Sequence, residues 1–309
     1  MKNNRIARII FAVIFLAGFG VYIYLTYPLH TTSGDIESWG EAGGLHPEGW
    51  GEAVQVTEQT PDDAAPPESE PETAPPEETP EETAVDPQSP EGRAAALGLP
   101  APPDIDIDQW QYVLVNAATP LEPQDYAPAE LSYLNMTASE TDIQTAYNEY
   151  RCPIDSRIAQ ALLDFALGCR EAGNEVYLSS GYRSYSEQMT LFQRKVGQGY
   201  SEDVAKTIVA YPGTSEHQTG LCCDITDHYR ETKDSSLEST ATYQWLCAHC
   251  AEYGFVVRYP ADKSGDADSV TGVIYEPWHF RYVGTDAAAY MMENGLCLEE
   301  FTALYAGQA

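Results

Sequence analysis

The sequence predicts an α+β fold, helices packed on a small antiparallel sheet, preceded by a transmembrane helix and a disordered linker. Three features of the 309-residue chain predict it. An uncharged, almost wholly apolar run stands at Ile9–Tyr27. An acidic, proline-rich stretch follows and ends near residue 108, where the composition changes sharply. Beyond it, segments with apolar residues at helical spacing are interleaved with short apolar runs bounded by turn residues, the pattern of helices and strands sharing one core.

The run Ile9–Tyr27 is long enough to cross a bilayer. Lys2, Arg5 and Arg8 precede it and neither Lys nor Arg follows until Arg93. Residues 1–30 are therefore expected to form a cytoplasmic N-terminus and a single-pass anchor in the cell membrane, with the rest of the chain extracytoplasmic. No clear small-x-small site ends the run, which favours an anchor over a cleaved signal. Residues 31–108 carry 20 acidic side chains and one basic one, within a chain of net charge −32. Such a segment has too few large apolar groups to offset ordering entropy, so a disordered tether is expected, with a reach on the order of 200 Å. The acidic balance argues against a nucleic-acid partner, because binding there rests on clustered Lys and Arg.

Residues 109–309 are left as the folded domain. Tyr-Val-Leu-Val-Asn after Gln111 reads as a strand, followed by a connection through Pro120, Pro123 and Pro128. Asp155 can cap a helix whose apolar positions Ile158, Ala161, Leu162, Phe165 and Ala166 recur at helical spacing, ending near Gly173. Val176–Ser180 reads as a strand. A second helix starts at Ser184 or Ser186, and a third follows Ser201 until Pro212 and Gly213 stop it. Leu221–Ile225 predicts a strand and residues 240–253 a helix. Short strands are expected near Phe255, Val273 and Phe280, and a last helix over 286–293. All seven cysteines, at 152, 169, 222, 223, 247, 250 and 297, fall in this part, and their odd number leaves at least one thiol unpaired.

Four segments carry the chemistry: Ser180-Gly-Tyr-Arg183, Pro212-Gly-Thr-Ser-Glu-His217-Gln-Thr-Gly220, Asp224, and Glu276-Pro-Trp-His279. A catalytic zinc site takes three protein ligands of the imidazole and carboxylate type and leaves a position for water. His217, Asp224 and His279 can supply that set. A positioned base is also needed to take the water's proton, and Glu276, three residues before His279, is the candidate. Pro277 argues against a continuous helix here, so the pair is expected to project from a strand end. No lysine follows a serine by three positions, so the Ser-x-x-Lys nucleophile of penicillin-binding enzymes is missing.

These motifs stand in order with Tyr-Gly-Phe-x-x-Arg-Tyr-Pro at 253–260 and Glu-Pro-Trp-His-x-Arg-Tyr-Val-Gly at 276–284. With them, the stretch from about Arg157 to Gly284 closely resembles the VanY-type D-alanyl-D-alanine carboxypeptidases, zinc peptidases of the group that includes lysostaphin and hedgehog domains. The resemblance implies that fold, a Zn2+ cofactor held by His217, Asp224 and His279, and Glu276 as the base. It implies that Arg183 serves catalysis and binding, meeting the scissile carbonyl oxygen or a terminal carboxylate, with Gln188 and Ser215 as further substrate contacts. The implied reaction removes the terminal D-alanine from a peptidoglycan stem peptide.

L,D-carboxypeptidases and endopeptidases acting on muropeptides share these motifs. A non-catalytic zinc-containing cell-wall binding module is the reading from another class, and Glu276 argues against it. One departure is visible: Cys222-Cys223 stands where the family usually has a small residue such as Ala before the ligand aspartate. Alternation along a strand turns the two thiols opposite ways, so one is expected near the metal. A fourth ligand there would close the site.

Overall fold

A computed structural model describes residues 85–137, 143–230 and 232–306. The expected membrane helix within residues 1–30, and the tether as far as residue 84, lie outside the described residues. The compositional boundary at 108 does not coincide with the start of the packed chain. Helix α1 (Pro90–Ala96) begins with proline at its first turn, and the Ser89 hydroxyl accepts from the Gly92 amide, satisfying donors that a helix start leaves free. Ala94 is fully buried. The chain after α1 is tied down by hydroxyls: Tyr290 Oη donates to the Pro100 carbonyl at 2.8 Å and Tyr305 Oη to that of Pro103 at 2.7 Å. Asp104, Asp106 and Asp108 dominate the local composition while Ile105 and Ile107 pack against a core, which is why averaging over the segment misplaces the boundary.

The expected strand after Gln111 is a 3-10 turn, Trp110–Tyr112. Its carbonyls find a side chain rather than a neighbouring strand: Arg281 Nη2 donates to the oxygens of Gln111 and Val113 at 3.0 and 2.8 Å. A small antiparallel sheet that the sequence reading does not anticipate comes next, built of β1 (Leu131–Asn135), β2 (Ile143–Gln144) and β3 (Arg151–Asp155) in the order β2-β1-β3. Pro153 lies within β3, and an edge strand is where proline is tolerated.

Asp155 caps the next turn through the Arg157 amide, and helix α2 (Ala159–Glu171) follows. Its buried face, with Leu162, Phe165, Ala166 and Cys169, packs on the second sheet. That sheet comprises β4 (Tyr177–Ser180), β5 (Cys222–Thr226), β6 (Phe255–Val257) and β7 (His279–Tyr282), all antiparallel in the order β4-β5-β7-β6. Phe165 sits at the joint, with ring centroids 5.3 Å from Phe255 and 5.6 Å from Phe280. Burial of one such side chain contributes roughly 1.5–3 kcal/mol.

Helix α3 (Tyr185–Gly197) starts at Ser184, whose side chain forms a reciprocal cap with Glu187. Helices α4 (Glu202–Ile208) and α5 (Ala241–His249) agree with the expected segments. The residues around Val273 form a loop instead of a strand, with Gly265 N donating to the Val273 carbonyl and Ile274 N to that of Thr207. Helix α6 (Thr285–Asn294) is followed by a further helix, α7 (Leu298–Leu304), whose start is capped by Cys297 and Glu300. Cys297 is a weak capping residue, so the sequence gives little notice of α7.

Candidate metal centre

Three elements bring the candidate ligands together. The loop after α4 ends in a buried 3-10 turn, Glu216–Thr219, closed by Gly220 in the left-handed region at φ 69°. A Cβ at Gly220 would come within 2.9 Å of the Asp155 amide nitrogen, so both the conformation and the space require glycine. This turn presents His217. The adjacent strands β5 and β7 place Asp224 directly opposite His279, where paired side chains lie within about 5.5 Å.

Which atoms of the candidate ligands are left to face an ion is set by what holds the others. His217 Nδ1 lies 2.7 Å from the Gly181 carbonyl oxygen, which can only accept, so Nδ1 carries a proton and Nε2 is the ring nitrogen turned toward Asp224. His279 Nε2 lies 3.3 Å from Glu216 Oε2, which turns its Nδ1 toward Asp224. Asp224 Oδ1 is 3.4 Å from His217 Nε2 and 3.2 Å from His279 Nδ1. Although that close, Asp224 Oδ1 and His279 Nδ1 are not aligned for a hydrogen bond, and both are buried without a partner. Buried polar atoms are seldom left so. Two imidazole nitrogens and a carboxylate oxygen converging in this way fit a tetrahedral divalent ion such as zinc.

The second carboxylate oxygen, Asp224 Oδ2, accepts from Lys233. Burial opposes the charged form of Asp224, and Lys233 with His217 more than offsets it, holding the carboxyl well below the usual range. Glu276 Oε2 stands 3.5 Å from His279 Nδ1. Burial pushes its carboxyl above the usual range, which makes it a better proton acceptor once ionised. The turn from Glu276 to His279, with the His279 amide donating to the Glu276 carbonyl, leads into β7 rather than a helix, as Pro277 requires.

Arg183, Gln188 and Ser215 line the same cavity of about 460 Å³ as His217, Asp224, Glu276 and His279. Arg183 Nη1 donates to Gln188 Oε1 at 2.7 Å and Nη2 to Ser180 Oγ at 2.9 Å. Gln188 Nε2 in turn donates to the Ala210 carbonyl. The structure thus brings together all seven residues expected from the sequence. A larger cavity of about 640 Å³ lies elsewhere, beside Trp110, Tyr126 and Arg157, and none of those seven residues lines it.

Sequence reasoning missed the support behind the candidate ligands. Glu216, Arg258 and Arg281 are fully buried together. Arg258 Nε and Arg281 Nη1 donate to Glu216 Oε1 at 2.6 and 2.8 Å, and Arg258 also grips Glu299 through two parallel bonds of 2.8 and 2.7 Å. Burial alone would raise the Glu216 carboxyl; the two guanidiniums reverse that and hold it well below the usual range. The signal was available, since both arginines stand inside the motifs at 253–260 and 276–284. Lys233 lies in no motif and carried no signal.

A family model described as VanY, D-alanyl-D-alanine carboxypeptidase, matches residues 151–285. A D-alanyl-D-alanine carboxypeptidase of Enterococcus faecalis is 36% identical over 206 residues, which are 63% of this chain and 67% of that protein. Among solved structures, a vancomycin resistance D,D-pentapeptidase VanY in complex with Zn(II) is 34% identical with a TM-score of 0.50, over 63% of this chain and 99% of that one. The LdcB LD-carboxypeptidase is 36% identical with a TM-score of 0.52, over 62% of this chain and 84% of that one. With its ligand geometry, its motifs and this extent of shared sequence in agreement, the chain belongs to the VanY D-alanyl-D-alanine carboxypeptidase family.

Proposed function

We propose that this chain is a zinc-dependent D-alanyl-D-alanine carboxypeptidase that removes the terminal D-alanine from peptidoglycan stem peptides. The observation that carries the reading is the convergence of His217 Nε2 and His279 Nδ1 on Asp224 Oδ1, with Glu276 Oε2 3.5 Å from the same imidazole. In this reading His217, Asp224 and His279 would hold the ion, which would supply a Lewis acid beside the reacting carbonyl.

Glu276 would take a proton from the attacking water as the water oxygen bonds to the amide carbonyl carbon. When the C–N bond breaks, the same carboxyl delivers the proton to the departing amine of D-alanine. Arg183, fixed by Gln188 and Ser180, offers charge-assisted hydrogen bonds to a substrate oxygen beside the ion. Ser215 lines the same wall.

Likeness to an LD-carboxypeptidase of similar identity supports a second reading, with the same chemistry and a tetrapeptide substrate. Mass spectrometry of the full chain with pentapeptide and tetrapeptide stems, each with and without a chelator, separates the two. Chelator-sensitive loss of one alanine from the pentapeptide is expected; cleavage of the tetrapeptide alone would reassign the enzyme, and cleavage of neither by metal-loaded protein would sink the carboxypeptidase reading. We further propose that residues 1–30 anchor the enzyme in the cell membrane with its domain outside, supported by the uncharged run and the basic residues before it. Release of the chain from membranes by high-pH wash would refute the anchor.

A further inference from the structure

Strand β5 carries two adjacent thiols that face opposite ways. Cys223 points away from the ligands, its Sγ 3.8 Å from that of Cys152. Cys222 is two residues from Asp224 and so shares its face, and it pairs in register with Arg281, two residues from His279 on β7. Cys222 is fully buried. One ligand atom from each of His217, Cys222 and His279 lie within 4.8 Å of one another. Ligand atoms of a tetrahedral zinc ion, bound at about 2.0–2.3 Å, lie roughly 3.3–3.8 Å apart, so a small closure lets one ion reach all three. Asp224 Oδ1 and His279 Nδ1, on the same face of the sheet as Cys222, are buried without a hydrogen-bond partner.

We propose that Cys222 Sγ is a fourth protein ligand of the metal, giving this enzyme a centre of two imidazoles, one carboxylate and one thiolate; the proposal rests on the zinc reading above. Catalytic zinc sometimes expands to five partners in the transition state, and a site with a thiolate ligand would use that expansion to admit water, in contrast to the closed site that the sequence alone suggests. A soft sulfur ligand biases the centre toward zinc and against magnesium or manganese.

The test uses the full chain loaded with one equivalent of Co2+, and separately of Zn2+. A thiolate-to-cobalt charge-transfer band in the near ultraviolet is expected, together with a sulfur scatterer at about 2.3 Å in zinc X-ray absorption. Cys222→Ala should lose the band and bind zinc roughly tenfold or more weakly, while Cys223→Ala should keep the band. A zinc shell of nitrogen and oxygen alone in the wild-type chain overturns the proposal whether or not the variants fold, and leaves the zinc reading standing. A band lost in Cys223→Ala and kept in Cys222→Ala overturns it as well. Failure to take up either ion overturns the zinc reading and the fourth ligand with it.

Discussion

Glu216 Oε2 and His279 Nε2 stand 3.3 Å apart, so the ion network that anchors the sheet also orients an imidazole of the metal centre. Glu216 is the residue before His217 in sequence and faces the ring of the other histidine. One turn of chain therefore supplies a candidate ligand and the group that aims its candidate partner. The network is balanced: Arg258 and Arg281 face Glu216 and Glu299. Its value lies in completeness, because breaking a buried pair on one side leaves an uncompensated charge.

Glu216→Gln should therefore act twice. It leaves two buried guanidiniums short of a counter-charge, which costs about 3–5 kcal/mol of stability. It also frees the His279 ring, and loss of such an outer partner weakens metal binding about 10–100-fold. Thermal unfolding and chelator competition measure the two effects. A variant that unfolds earlier while keeping its zinc affinity would show that Glu216 does not orient His279.

Glu276→Gln should retain the metal and the fold, since the ligand set is untouched. General-base assistance typically contributes 10²–10⁴-fold, so kcat should fall by about that range with little change in metal content. An active, metal-loaded variant would mean that another group takes the proton.

Arg183→Lys keeps the charge and removes the fork that spans Gln188 Oε1 and Ser180 Oγ. A lysine is a single rotatable point charge and does not replace a planar guanidinium held on two sides. Hydrogen bonds to charged groups contribute about 1.5–3 kcal/mol, which predicts a loss of roughly 10–100-fold in kcat/KM. Wild-type kinetics would remove Arg183 from the site.

The sequence exposed the candidate ligands more fully than their scaffold, for physical reasons visible at particular residues. His217, Asp224, His279 and Glu276 are legible because imidazole and carboxylate at those spacings suit one kind of chemistry. Helices α2 and α3 are legible because Asp155, Ser184 and the apolar spacing are local signals. The β1–β3 sheet is not, because Pro153 reads as a break and pairing such as Leu134 with Cys152 is fixed by contacts distant in sequence. Arg281 shows the same limit: its guanidinium satisfies the backbone of Gln111 and Val113 from 170 and 168 residues away, a relation that no local pattern contains.

Gly181→Ala tests how tightly the centre is built. A Cβ there would fall 2.0 Å from the Pro153 carbonyl oxygen and 2.8 Å from Cys152 Sγ, and a backbone oxygen does not yield cheaply. The Gly181 carbonyl also fixes His217 through Nδ1 at 2.7 Å. Overpacking of this kind costs about 1–3 kcal/mol. Calorimetry should show that loss, and zinc affinity should fall with it. Unchanged affinity in the destabilised variant would separate the His217 carbonyl contact from metal binding.

Removal of the ion should lower stability without abolishing the fold. Lys233 donates to Asp224 Oδ2, so one carboxylate oxygen would keep a partner after the ion is removed and its charge would stay compensated. A ligand that binds only the folded state adds about 2.7 kcal/mol when its free concentration is 100 times Kd. Zinc titrated into the chain should therefore raise the unfolding midpoint, with a gain in unfolding free energy of about 2.7 kcal/mol at 100 times Kd. Asp224→Asn should lose most of the gain, because it removes the charged oxygen on which both imidazoles converge while Lys233 remains. If zinc stabilises that variant as strongly as the wild type, the ion binds elsewhere and the assignment of Asp224 as a ligand fails.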